Sequence, residues 1–306
     1  MTTQTTTSPS TAKSLSPAEE RRLVARLTTV GVAGNVALAL FKLVAGVVGH
    51  STALLADAVH SLSDVFATAI AAVGVRIAQR TADSGHPFGH ERFECLASLV
   101  LAVVLAATGL GIGVSSIQSL ASGAYLAAEA PGVIALVAAG VSIAVKEGMF
   151  WYTRHGALVL NSSAFLADAW HHRSDALSSI GALVGVGLSM AGVPAGEPLA
   201  SVVICGIILK VAYDVGKDAV DNMMDAPCAP ELESTIKNCI EQVEGVTRID
   251  ALRTRRFGSK VYVEAEIAVC GSQSLEAAHA IAERAHDLVE SQFPEVKHIM
   301  IHENPA

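Results

Sequence analysis

Charge is scarce in this chain. Asp, Glu, Lys and Arg make up 16% of its 306 residues, against 51% hydrophobic residues. That excludes an ordinary soluble domain of this length. Cysteine is scarce too. Cys95, Cys205, Cys228, Cys239 and Cys270 form no CxxC pair and no disulfide-like spacing. Cys95 and Cys205 lie in apolar runs, where cysteine acts as a small hydrophobe. No HExxH motif occurs, and no Glu stands beside the intramembrane histidines, so an intramembrane metallohydrolase lacks its general base. Residues 1–20 are rich in Thr and Ser without an apolar core, which predicts a disordered tail and not a signal peptide.

What is present is a series of long apolar runs, near 28–50, 53–77, 93–120, 131–153, 158–190 and 198–216. Each reaches the roughly 20 residues that cross hydrocarbon as a helix. The fifth is long enough to include a flanking or tilted portion. With the N-terminus in the cytoplasm, the inside segments hold Lys13, Arg21, Arg22, Arg26, Arg76, Arg80, Arg92, Arg154 and Lys217. The outside loops near 49–52, 119–130 and 191–197 hold no Lys or Arg. This positive-inside pattern predicts both termini in the cytoplasm.

After a boundary at DAPCAP (225–230) the texture becomes soluble. From Asp225 onward there are 14 acidic residues against 8 Lys and Arg, which suits cations and argues against nucleic acid. Helices are expected at 231–243 and 274–291, strands at 246–256, 260–269 and 297–302, with FGS (257–259) as a hairpin signal. The expected fold class is an α-helical membrane protein of six transmembrane helices with a small cytoplasmic α+β domain, αββαβ, ferredoxin or metallochaperone-like. The expected division is a tail at 1–22, a membrane domain at 23–217, a linker at 218–230 and a C-terminal domain at 231–306.

Two segments repeat. LLADAVHSLSD (54–64) and FLADAWHHRSD (165–175) are 111 positions apart, and each places Asp, His and Asp at 0, 3 and 7. Carboxylates and imidazoles inside apolar spans are costly and mark a site. His60 and Asp64 share a helix face, as do His171 and Asp175. Face to face they form a shell of two imidazoles and two carboxylates, which suits Zn²⁺ better than Mn²⁺ or Mg²⁺. The competing reading is interhelical hydrogen bonding, which explains one His–Asp pair more readily than two at one spacing and depth. Four strong ligands also disfavour a channel. Asp57 and Asp168 lie on the same faces, at the outer and cytoplasmic sides respectively. They line a metal path or hydrogen-bond neighbouring helices, two readings of equal standing. His172 points about 100° away from His171 and reads as an interface neighbour.

A second constellation, Asp83, His86 and His90, repeats the spacing in the Pro/Gly turn DSGHPFGHER (83–92), a three-ligand zinc site with an open position or a solvated loop. A third is scattered through the C-terminal domain: Asp250, Glu266, His279, His286 and His302. It forms a cytoplasmic metal site or an ordinary acidic surface. Lys42, Lys146, Glu147, Lys210 and Asp214 read as anchors and helix pairs, with Lys146 and Glu147 near the cytoplasmic end of the fourth span.

HSTALLADAVHSLSD, HPFGHER, DAWHHRSD, LRTRRFGS (252–259) and IHENP (301–305) together resemble the cation diffusion facilitator family, over about residues 28–304. The resemblance implies a homodimeric secondary transporter and not an enzyme. Such a protein moves divalent metal out of the cytoplasm in exchange for protons, here across a bacterial inner membrane. It implies a transport site at His60, Asp64, His171 and Asp175 and a loop site at Asp83, His86 and His90. Zn²⁺ is then cargo and a regulatory ligand, with Fe²⁺, Mn²⁺, Cd²⁺ and Co²⁺ behind it. The C-terminal match is partial: His279 and His302 fall on family ligand positions, while Asp250, Glu266 and Asn304 depart from the His, His and Asp of some members. A non-transporting metal sensor or assembly partner is the alternative within the family, and it is expected to lack an intact transport site.

Overall fold

A computed structural model describes residues 16–48, 52–126, 133–193, 195–258 and 260–306. Six long helices come first: α1 (Pro17–Val48), α2 (Thr52–Ala78), α3 (Arg92–Ser122), α4 (Val133–Leu160), α5 (Ser163–Met190) and α6 (Gly196–Met223). By length and composition, Ala18–Val48, Asp57–Ala78, Arg92–Ser122 and Pro198–Met223 are able to cross a membrane. Helices α4 and α5 are 28 residues each and pack in the same bundle.

α5 is the central helix and packs on α2, α3, α4 and α6. Its inward face is built from small residues around one aromatic: Ala164, Phe165, Ala167, Ala169 and Ala176 are wholly buried. Small side chains let neighbouring backbones come close, which replaces the missing hydrophobic drive between helices in lipid. Gly74 and Ala97 do the same where α2 meets α3, since a Cβ on Gly74 would stand 2.4 Å from that of Ala97.

The fourth and fifth spans differ from expectation. α4 runs on through Arg154 and His155 to Leu160 instead of ending near 153. The chain then turns at Asn161, whose φ of 50° breaks the helix. Ser162 restarts it, its hydroxyl accepting the Phe165 N–H at 3.2 Å. The apparent excess length of the fifth span was the last turn of α4. At the ends, residues 17–22 of the expected tail are helical, and residues 1–15 lie outside the described ones. The first part of the expected linker, 218–223, is the end of α6, leaving a short connection at 224–229 before α7.

The C-terminal portion contains α7 (Pro230–Glu241), β1 (Arg248–Phe257), β2 (Lys260–Val269), α8 (Leu275–Gln292) and β3 (Val296–Pro305). The sheet order is β1-β2-β3, with β1 and β2 antiparallel and β2 and β3 parallel. VYVEAEIAV alternates because one face of β2 packs on Ile236, Ile240, Ala285 and Val289 of the two helices. The expected αββαβ order stands. Serine again starts a helix, Ser274 accepting the Ala277 N–H at 3.2 Å at the head of α8.

Candidate metal site

The repeated segments lie on α2 and α5, which touch. Their histidines and second aspartates meet between the helices. His171 Nε2 is 3.4 Å from Asp64 Oδ1. His60 Nε2 is 3.9 Å from Asp64 Oδ1 and 3.8 Å from Asp175 Oδ1. Ligand atoms of His60, Asp64 and Asp175 all lie within 4.8 Å of one another. Asp64, His171 and Asp175 are buried or nearly so, while the His60 side chain is 49% exposed and forms the open side. Asp175 Oδ1 and His171 Nδ1 are buried without a hydrogen-bond partner. Unsatisfied buried polar atoms are costly, and an ion coordinated at Asp175 would relieve one of them. Imidazole nitrogens and carboxylate oxygens together are donors that suit a divalent metal ion.

One residue of this cluster escaped the sequence reading. Lys146 does not lie near a helix end; it stands at the middle of α4, because α4 is longer than expected. Its ammonium is buried and donates to Asp64 Oδ2 at 2.5 Å, Asp175 Oδ2 at 2.8 Å and Asn35 Oδ1 at 3.0 Å. Glu147, one position on, turns to Arg173 at 3.5 Å. Lys42 is likewise internal, 2.8 Å from Asp57 and 2.9 Å from Ser61. Lys210 and Asp214 pair along α6 at 2.6 Å.

Asp57 and Asp168 each meet a neighbouring helix. Asp57 pairs with Lys42 of α1 and stays partly exposed, whereas the buried Asp168 accepts the Thr68 hydroxyl of α2 at 3.1 Å. His172 is wholly buried with neither ring nitrogen hydrogen-bonded; its Nε2 faces Asp168 at 3.7 Å.

In the loop after α2, Asp83, His86 and His90 also converge within 4.8 Å. His86 Nδ1 is 3.5 Å from Asp83 Oδ1, and His90 Nε2 is 3.4 Å from Asp83 Oδ2. The turn holds the carboxylate: Asp83 Oδ1 accepts the N–H groups of His86 at 2.7 Å and Gly85 at 2.9 Å. The His86 N–H, then that of Gly85, keeps the Asp83 carboxyl below the usual aspartate range. His90 is buried and its Nδ1 has no partner. The loop is seated on the sheet, where the Tyr262 hydroxyl donates to the Phe88 carbonyl at 2.9 Å and Lys297 pairs with Glu91.

The C-terminal set does not converge: among the described residues of this chain it forms no ligand cluster. Asp250 is held by Arg248 at 2.6 Å and by Asn304 at 3.1 Å. These two contacts, Arg248 first, keep its carboxyl low. Glu266 faces Arg253, and His279 faces Glu283 and Glu303. His302 is exposed on β3, in register with Glu266. His286 pairs locally with Asp287 and Glu290 on α8. Within one protomer Asp250, Glu266, His279 and His286 thus have charged partners.

Residues 28–224 match the cation efflux transmembrane domain, and residues 228–306 match the cytoplasmic domain of cation efflux proteins. The chain belongs to the cation diffusion facilitator family. Metal tolerance protein C1 of Arabidopsis thaliana is 35% identical to this facilitator over 302 residues, which are 95% of the chain but 64% of that relative. The chain therefore spans just under two thirds of that protein's length. The uncharacterized transporter YdbO of Bacillus subtilis (strain 168) is 34% identical over 270 residues, 88% of this chain and 91% of YdbO. The manganese efflux system protein MneP of the same organism is 29% identical over 296 residues, 94% of this chain and 98% of MneP. Like its family, the facilitator is an integral membrane protein.

Proposed function

We propose that this facilitator exports a divalent metal from the cytoplasm, Zn²⁺ foremost, in exchange for protons, through the site of His60, Asp64, His171 and Asp175. The observation that carries the reading is the meeting of the two repeated motifs between α2 and α5, with a buried Asp175 oxygen left unsatisfied at their centre. Ligands must be deprotonated to hold metal, so metal and protons compete for the same nitrogens and oxygens. Imidazole is the group that titrates near neutral pH, which makes His60 and His171 the carriers of the exchanged protons. Alternating exposure of the site to the two sides of the membrane then converts that competition into transport.

The name of MneP raises manganese as the second cargo. Two imidazoles favour the softer Zn²⁺, and His60→Asp is expected to alter selectivity and admit Cd²⁺. The C-terminal domain at 231–306 serves as the dimer contact between two copies and as a metal sensor. Metal bound differently in two dimer geometries shifts their balance, and the connection after α6 passes the change to the helices. Both termini lie in the cytoplasm of a bacterial cell, with the helices in the inner membrane.

Inside-out proteoliposomes test the proposal with Zn²⁺, Mn²⁺, Fe²⁺, Cd²⁺ and Co²⁺ in turn. Zn²⁺ is expected to accumulate while the lumen becomes alkaline, and Asp64→Ala and Asp175→Ala are expected to abolish both signals. Zinc flux without any proton movement would reject the exchange, and flux surviving both substitutions would reject the site.

A further inference from the structure

The site proposed for the metal already contains a cation. Lys146 is among the largest wholly buried side chains of the protein, and its three ammonium hydrogens have three acceptors: Asp64, Asp175 and Asn35. The two aspartates divide their oxygens. Each gives Oδ2 to the ammonium, while Oδ1 faces the imidazoles. Ammonium and cargo would therefore compete for the same two carboxylates.

Charge makes the competition sharp. With neutral imidazoles, two carboxylates and one ammonium leave the cluster at minus one. A dication added with the ammonium in place sets three positive charges against two negative ones in a poorly screened interior. A dication replacing the ammonium leaves the cluster neutral. The ammonium in turn offers the empty site what two buried carboxylates require, a cation in hydrogen-bonding contact. A lysine suits this role because its four-carbon stem swings, whereas the planar fork of arginine would clamp both carboxylates.

We propose that Lys146 is a tethered counter-ion that occupies the site between transport events and is displaced from Asp64 and Asp175 by the incoming dication. The inference rests on the reading of His60, Asp64, His171 and Asp175 as the transport site. It adds a fifth residue, from α4, that competes with the cargo instead of ligating it.

The test uses the full-length protein in nanodiscs, with His86→Ala and His90→Ala removing the loop site. Zn²⁺ and Mn²⁺ are titrated separately. The transmembrane equivalent is the one lost on adding Asp64→Ala or Asp175→Ala. Lys146→Met is expected to tighten that equivalent at least tenfold, and Lys146→Arg to weaken it at least tenfold. A cryo-electron microscopy map of the zinc-loaded protein is expected to show the ammonium out of contact with both aspartates. Unchanged or weaker binding in a folded Lys146→Met protein would overturn the proposal, as would an ammonium still seated on both aspartates beside bound zinc. If neither aspartate substitution removes an equivalent, the transport-site reading itself fails; if they remove it and Lys146→Met does not tighten it, only the displacement fails. Should Lys146→Met not fold, the map decides alone.

Discussion

His171 Nε2 on α5 stands 3.4 Å from Asp64 Oδ1 on α2, with both side chains buried. The two residues are 107 positions apart. Their contact closes the repeat on itself: the imidazole of the second copy meets the carboxylate of the first. It also ties the site to the packing of two helices, so loss of a charge here has structural as well as functional consequences.

Removing either aspartate leaves the Lys146 ammonium with one carboxylate in a buried setting. Breaking a buried ion pair from one side costs about 3–5 kcal/mol. Asp64→Ala and Asp175→Ala should therefore lower the thermal unfolding temperature markedly. The double variant Asp64→Ala/Lys146→Met leaves the Asp175 carboxyl with no cation and should lower that temperature further, while flux in proteoliposomes stays at background. If the second substitution costs nothing more, the ammonium is not compensating Asp175.

Asp57 and Asp168 provide the second comparison. Each is bonded to a neighbouring helix, through Lys42 and Thr68. If they also line the metal path, Asp57→Ala and Asp168→Ala should slow zinc flux. Wild-type flux in both variants would leave them as interhelical bonds alone.

The loop site gives a pH prediction. The Asp83 carboxyl is held low by the His86 and Gly85 N–H groups. A group lowered on folding contributes stability above its unfolded value and loses it only as pH falls through the lowered one. Asp83 therefore stays ionised throughout mild acidification. Asp83→Asn should weaken Zn²⁺ binding by the same factor across that range, because the carboxyl it removes is charged throughout. Zinc titrations from pH 7.5 to pH 5 check this, and a factor that shrinks as the pH falls would contradict it.

The seat between the loop and the sheet predicts two stability effects. Tyr262→Phe removes the hydroxyl that donates to the Phe88 carbonyl, a loss of about 1 kcal/mol. Gly258 has φ of 56° at the β1–β2 turn, and a Cβ there would stand 2.9 Å from Glu94 Oε2. Gly258→Ala should cost about 1–2 kcal/mol from backbone strain alone. Thermal unfolding reads both. Hydrogen exchange of residues 83–92 should rise in Tyr262→Phe and stay at the wild-type rate if the loop is not seated on the sheet.

Periodicity, hydropathy and spacing were enough to read six helices, the αββαβ order, the repeated Asp/His/Asp motif and the loop triplet from the chain alone. All of these are local: a run of apolar residues, an alternation, a pair at i and i+4. What the chain alone misread was the role of Lys146. Hydropathy located α4 but not its end, since nothing in FWYTRHGALVL marks where a helix stops in the way that Asn161 at positive φ does in the fold. The C-terminal set stays apart within one protomer, where Arg248 and Asn304 hold Asp250 and Glu303 faces His279. Which face of α4 turns inward, and which aspartate oxygen is left for a metal, are decided only when α1, α2, α4 and α5 pack together. Lys146 meets Asp175 29 positions away, Asp64 82 positions away and Asn35 111 positions away only through that packing, which also leaves one Asp175 oxygen with no partner.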